Sequence, residues 1–326
     1  MSFGMMPQQA WCIAIPDLTQ KHEFVVHGAL AITALHISTS SDSAAAKDKY
    51  QNIAALELNM GLASYMAEIR RISSDNVEAL FTFSTAISLW STFQARNDCR
   101  SLIADDSVTH TQAEKIASEA VLIICRCLRT LRGIQVILVP GWSKLQGGPL
   151  RYVVERESWS TAIPVADAHL AEDEQLKNLE VMWSNPHRAY EDHFDILRQA
   201  WIDLRQSFRI VWSLIDSVPS NHPSLGPSFD WTSVFHFAVQ CSLRFVSLLE
   251  QQCVEAWVLM AHYAILHAEI GNGLWWLDDS AANLVAAAAL VIGTSNWDWI
   301  AWPAARISID LESLRPSALN RAKICP

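Results

Sequence analysis

Apolar residues recur along most of this 326-residue chain at intervals of three and four, the spacing that lines them up on one side of an α-helix. "EFVVHGALAITALHIS" (23–38) sets Val26, Ala29, Leu30, Ala34 and Ile37 on one broad face, with Thr33 the polar residue among them. "SAAAKDKYQNIAALELNMGLASYMAEIRRI" (43–72) carries Ile53, Leu56, Leu58, Leu62, Tyr65, Met66 and Ile69 at roughly helical spacing. "SDNVEALFTFSTAISLWSTFQAR" (74–96) opens with Asp75 and Glu78, an N-cap residue with an acid three positions on. A further helix is predicted over about 111–132, ending near Gly133.

The middle of the chain is less regular. "VPGWSKLQGGPLRYVV" (139–154) and "SWSTAIPVADAH" (158–169) hold Gly and Pro at the density of loops. Helical patterning returns over 171–183 and 187–212, and "DSVPSNHPSLGPSFD" (216–230) reads as a linker. Apolar helical segments follow at 231–250, 252–270 and 280–293, and "NWDWIAWPAARISI" (296–309) closes the core. Neither a period-two alternation nor an internal repeat is visible. The expectation is an all-α fold, a single compact domain over residues 1–326 with about ten helices around a hydrophobic pocket.

Composition supports a large buried interior: 51% of residues are hydrophobic, against 11 glycines and 12 prolines. Fourteen tryptophans is a high number, and each brings a wide apolar face with one N–H that needs a partner when buried. Most are expected in the core, but as a set they make an aromatic-lined cavity plausible. A net charge of −10 with no dense basic tract argues against direct contact with nucleic acid. The longest apolar run, "LVAAAALVI" (284–292), is too short to cross a bilayer. "MSFGMMPQQAW" lacks the basic start and apolar stretch of a secretory signal. Seven cysteines at irregular spacing fit a reducing compartment, so a soluble cytoplasmic protein is expected, or a nuclear one if it is regulatory.

The familiar catalytic patterns HExxH, GxSxG, GxGxxG and GxxxxGK[ST] are missing. "ADDSV" (104–108) and "LDDSA" (277–281) are acid pairs without the further acid a magnesium cluster needs. No set of Cys or His has ligand spacing, so neither metal nor cofactor is predicted. "YEDHFDILRQAW" (190–201) places Glu191 and Asp195 on one helical face, which reads as a solvated face paired to Arg188 and Arg198. His36, His262 and His267 sit on apolar segments and are expected as core histidines bonded to backbone carbonyls. In "LHAEIGNGLWWLDDSAANL" (266–284), Trp275 and Trp276 run directly into Asp278 and Asp279 ahead of an Ala-rich helix. Either acid suits an N-cap. One of them, turned into an apolar cavity, would hold its proton near neutrality and serve as a hydrogen-bond donor or proton-transfer group.

Taken in order, "FVVHGALAITALHIS", the Tyr-containing helix after it, "DNVEALFTFSTAISLWSTF", "LRGIQVIL" (131–138) and the block 245–303 resemble the effector domain of fungal binuclear zinc-cluster transcription factors. The sterol uptake control branch is the nearest, and the resemblance runs from about 11 to 303. It implies a compact α-helical domain around a hydrophobic cavity, which in that branch accepts a sterol. Two departures alter the functional expectation. The six closely spaced cysteines of the family's DNA-binding module are not seen; Cys12, Cys99, Cys125, Cys127, Cys241, Cys253 and Cys325 are scattered, and Cys125 and Cys127 would face apart on a helix. After "WWL" the family pattern would continue with a small residue and another aromatic, where this chain has Asp278 and Asp279.

The first functional expectation is therefore a metal-free cyclase or pericyclase acting on a hydrophobic terpenoid or polyketide intermediate. Asp278 and Asp279 would be catalytic, and Trp90, His262, Tyr263, Trp275, Trp276 and Trp297 would bind the substrate. The alternative is a sterol- or lipid-sensing regulatory domain acting through a partner protein. Both readings share the same partners: a hydrophobic small molecule, no direct nucleic acid, no transmembrane segment, and room for a homodimer.

Overall fold

The computed structural model describes residues 7–103, 110–154, 163–184, 193–216, 231–271 and 274–315, and among them all regular structure is helical. In chain order the α-helices are α1 (Pro7–Lys21), α2 (Glu23–Thr39), α3 (Ala44–Glu68), α4 (Val77–Ile103), α5 (His110–Gly133), α6 (Gln135–Leu145), α7 (Arg151–Val154) and α8 (Leu170–Asn178). They continue as α9 (Val181–Ser184), α10 (Phe194–Asp216), α11 (His236–Gln240), α12 (Leu243–Glu250), α13 (Val254–Gly271), α14 (Ser280–Ile292) and α15 (Ala301–Ile307), with short 3-10 turns between some of them. The protein is all-α, as expected. "ADDSV", Glu191 and Cys325 lie outside the described residues, as does the proposed linker apart from Asp216.

The residues group into two compact units, each drawn from three stretches of chain. The first takes 1–93, 130–164 and 210–235; the second takes 94–129, 165–209 and 236–326.

In the first unit α2 and α3 form a hairpin laid against α4, and the fit turns on the fully buried Phe83 of α4. A Cβ at Gly28 would come within 2.9 Å of the Phe83 ring, and one at Gly61 within 2.7 Å. These glycines let both helices close on the ring, where Phe24 and Tyr65 meet it at centroid distances of 5.6 and 5.0 Å. The Tyr65 hydroxyl is satisfied by Ser84 Oγ at 2.6 Å.

This packing selects faces that periodicity does not. The buried residues of α2 are Phe24, Val25, Gly28, Ala31, Ala34, Leu35 and Ser38, while Leu30 and Ile37, expected in the core, are 48% and 39% exposed. On α3 the buried residues are Ala54, Leu58, Gly61 and Tyr65, and Leu56, Leu62 and Met66 lie outside. Helix α2 is apolar nearly all round, so its sequence names no unique inner face; the glycines decide it.

Two local expectations are corrected. Asp75 and Glu78 do not form a capping box. Asp75 accepts from the Ser74 hydroxyl, and Glu78 reaches across to accept the Leu150 N–H at 3.3 Å, in space left open by Gly148. Asn76 organises the turn instead, accepting from Ser73 N–H and donating to Glu68 and to Arg71 O. The stretch read as a loop from 139 is helical to Leu145 despite Pro140, because Gly141 lets α6 press against Val77.

In the second unit, residues 255–267 of α13 are buried without interruption, and α13 packs along α14. A helix that is apolar on every side has to be enclosed. Two buried indole N–H groups here find carbonyls: Trp257 Nε1 donates to Leu249 O at 3.0 Å, and Trp297 Nε1 to Ala289 O at 2.9 Å. The buried Asp173 takes a two-pronged contact from Arg205, whose guanidinium lies 4.9 Å from the Trp201 ring centroid. No single described helix is long and apolar enough to cross a membrane; one pair, Thr232–Gln240 with Leu243–Glu250, qualifies jointly but is bent by 83°.

The packing at Phe83 makes a prediction by contrast. Gly61→Ala should lose about 1–3 kcal/mol through overpacking against the ring, partly offset by better helix propensity. Gly133→Ala, where an added methyl would meet nothing within 4 Å, should be neutral or gain up to about 1 kcal/mol. Urea unfolding of both variants measures this, and equal stabilities would contradict the close approach.

Candidate functional site

The turn from Leu274 to Asp279 joins α13 to α14 and is tied down by Arg96 of α4, a side chain from the same unit. Arg96 is 9% exposed; its Nη1 donates to Trp275 O at 2.6 Å, and its Nε and Nη2 donate to Asn97 Oδ1. Asn283 Nδ2 closes the arrangement by donating to Arg96 O at 3.0 Å. Trp275 is half-buried and Trp276 buried, and their rings meet edge to face at 5.4 Å.

The two aspartates do not take the roles expected of them. Asp279 stands at the N-cap position of α14 but in the left-handed region (φ 62°), and its side chain makes no capping bond. Its carboxylate points outward, 3.6 Å from Arg100. Asp278 is exposed as well; burial of its carboxyl raises its pKa and the nearby Arg96 opposes the shift. The physical reason is the left-handed residue, which swings the chain so that Ser280 goes inward while both acids go out toward Arg96 and Arg100. Neither acid is enclosed by apolar walls.

The enclosed polar groups lie on α13 and its neighbours. His262 Nδ1 sits 2.8 Å from Val258 O. A carbonyl can only accept, so the proton is on Nδ1 and Nε2 is left with a bare lone pair. Burial holds this imidazole neutral, with its pKa lowered to about 4. Its ring is tilted against Trp302 at 5.5 Å, and Trp302 in turn stacks on Phe208 at 6.4 Å.

Tyr263 packs between Phe237 and His267, at 4.9 and 4.6 Å, and burial pushes its phenol pKa well up. His267 Nδ1 lies 2.8 Å from the Ser280 hydroxyl, rather than on a carbonyl as expected, and burial lowers its pKa to about 3. His36, also expected inside, is exposed on α2.

One half-buried imidazole escaped the sequence reading. His236 Nδ1 is 2.8 Å from Ser207 Oγ, and the Ser207 hydroxyl donates its proton to Asp203 O. His236 Nδ1 must therefore donate, and burial lowers the pKa of this ring to about 4. The available signal was its place between Phe235 and Phe237 in an apolar run.

Of the residues singled out for binding, Trp275, Trp276, Trp297, His262 and Tyr263 belong to the second unit and Trp90 to the first. Trp297 is buried, and the Arg315 guanidinium covers its ring at 5.3 Å. Among the described residues no group of three or more His, Cys, Asp or Glu is placed to hold a metal ion. The described cysteines carry free thiols; burial pushes Cys99 and Cys125 up to about 12 and Cys253 up to about 11, which keeps them protonated. No protein-family model, curated protein or solved structure matches this chain.

Two predictions follow from this geometry. In the unfolded chain the three imidazoles would titrate near 6.5, whereas in the fold they stay neutral down to about 4, 4 and 3. Between these values only the unfolded state takes up protons, so their stability contribution is whole above pH 6.5 and is lost as pH falls toward 4. The slope should be roughly 1 kcal/mol per pH unit for each ring. Urea midpoints at pH 7 and 5 test this against a His262→Gln variant, which should lose one ring's share; identical slopes would contradict it. At Asp279, Gly should be neutral or better, while Val should cost about 1–2 kcal/mol for the left-handed backbone. Equal melting temperatures for these two variants would rule out the strained turn.

Proposed function

We propose that the protein is a cyclase or pericyclase that binds a hydrophobic terpenoid or polyketide intermediate within its second unit and closes a ring by cyclisation or cycloaddition. The observation that carries this reading is the His262 imidazole: neutral, with its proton committed to Val258 O and its Nε2 lone pair held in apolar surroundings beside Trp302. In low dielectric such a lone pair is a strong hydrogen-bond acceptor for an enol or dienol hydroxyl, which pushes electron density into the conjugated system while the proton stays on the substrate oxygen. The Tyr263 phenol, kept protonated by burial, is the matching donor for a substrate carbonyl.

The indoles of Trp275, Trp276 and Trp297 supply flat apolar walls. Holding a flexible polyene near its reactive conformer lowers the barrier by itself. An intramolecular ring closure turns π bonds into σ bonds and needs neither oxidant nor leaving group. In this reading Asp278 and Asp279 shape the turn and do not handle the proton. The resemblance to sterol-pocket effector domains supports a hydrophobic ligand without saying what becomes of it.

The test pairs mass spectrometry of ligands retained by the purified protein with turnover assays on linear polyenes and terpenoid trienes. His262→Gln should keep helicity and ligand retention while lowering turnover about ten- to a thousandfold. The Asp278→Asn, Asp279→Asn double variant should turn over at the wild-type rate. Full activity in His262→Gln would remove the imidazole from the chemistry. A retained sterol with no product from any probe would assign the interior to sensing and end the enzyme reading.

A further inference from the structure

His262 is 2% exposed, so no ligand reaches its Nε2 until something that covers it moves. The Nδ1 side of the ring is closed by its own helix, whose Val258 O takes the proton. Trp302 of α15 packs against the imidazole at 5.5 Å, tilted by 48°, and the same indole lies on Phe208 at 6.4 Å and 29°. His262 and Phe208 are buried whereas Trp302 is half-buried, so this indole runs from the imidazole to the surface. It is also held differently from Trp201, Trp257 and Trp297, each of which fastens its N–H to a carbonyl. Trp302 makes no such bond among the described residues and is kept in place by its ring contacts. Its backbone is fixed: Ile300, Pro303 and Ala304 are buried around it, and Arg306 at the end of α15 pairs with Glu269 of α13 at 2.7 Å. The freedom that remains is rotation of the side chain about its own bonds.

We propose that Trp302 is the gate of the site: its indole swings off His262 to admit a ligand, closes over it afterwards, and by its size limits which ligands reach Nε2. The proposal rests on the reading of His262 as the group that faces the ligand, and adds the residue that decides access and fit. Rotating Trp257 or Trp297 would strand a buried N–H, which is costly; Trp302 has no such bond to break. The apolar contacts it gives up are of the kind a hydrophobic ligand restores. Moving the indole opens a slot between the flat rings of Phe208 and His262, which suits an unsaturated chain entering end-on with a hydroxyl or enol leading. When the indole returns it excludes water, and the Nε2 lone pair keeps the low-dielectric surroundings on which its strength as an acceptor depends.

Chemical labelling of the histidines in the full chain at pH 7, read by peptide mass spectrometry, tests this. Diethyl pyrocarbonate is the small reagent and p-bromophenacyl bromide the bulky apolar one. His262 is neutral at this pH, its pKa being lowered to about 4, so its labelling rate reports access. Trp302→Ala should raise that rate about tenfold or more, and by a larger factor with the bulky reagent. His267, buried further along α13, should keep its wild-type rate and so report an intact fold. Trp302→Phe, which keeps a smaller ring against Phe208, should fall between the two and serves alone if the alanine variant does not fold. An unchanged His262 rate in a folded variant overturns the proposal, as does a rise shared equally by His267 or an equal gain with both reagents. The labelling needs no product. A gate that responds as expected in a protein that converts no probe strikes the cyclase reading alone, and an unresponsive His262 in a protein whose turnover falls in His262→Gln strikes the gate alone.

Discussion

Enclosure of α13 on all sides is the constraint from which the candidate site follows. A helix buried continuously from 255 to 267 has no water for the polar groups it carries, so each must find a partner within the protein or stay uncharged. His262 bonds back to its own helix, and His267 reaches Ser280 at the start of α14. The same demand acts on the aromatics. Trp257 and Trp297 each direct an indole N–H at a carbonyl eight residues back in the chain, which fastens the start of α13 to α12 and the turn after α14 to α14 itself. Neutral hydrogen-bonding groups within aromatic surroundings are thus a consequence of how this helix is buried, and the proposed chemistry uses what that burial leaves available.

The helical class was legible because three- and four-residue spacing recurs over long segments, and helix boundaries such as Gly133 fell where expected. The inward faces were not. Helix α2 is apolar on nearly all sides, so its orientation depends on Gly28 meeting Phe83 from a helix more than forty residues away, which no local pattern encodes. Pro140 and Gly141 read as loop signals because proline and glycine usually are, whereas here Gly141 serves close packing against Val77. The Asp75–Glu78 spacing matched a capping box, yet Glu78 had a more distant N–H to satisfy.

The candidate site was legible in part. His262 and Tyr263 stood out as polar residues on an apolar helix, and they are the groups held in the interior. Asp278 and Asp279 stood out for the same reason and lie at the surface, because a single left-handed residue reverses which side of the chain faces inward. Side-chain direction in a tight turn depends on one backbone dihedral, which hydropathy does not report. His236 was missed because its partner, Ser207, is 29 residues away on another helix.

The sequence-interleaved make-up of the two units bears on how the protein is born. The first unit takes its final stretch from 210–235 and the second does not begin its last until 236. An emerging chain therefore has to hold α1 through α9 in incomplete assemblies while roughly two-thirds of the protein is synthesised, since neither core can close on what has left the ribosome. Contacts spanning such separations form late, so the parts of each core that wait for them stay open in the meantime. Cutting the chain at any loop would not release an autonomous half, because each half of the polypeptide holds pieces of both cores. The arrangement favours all-or-none maturation and a reliance on chaperones that shield unfinished helical faces.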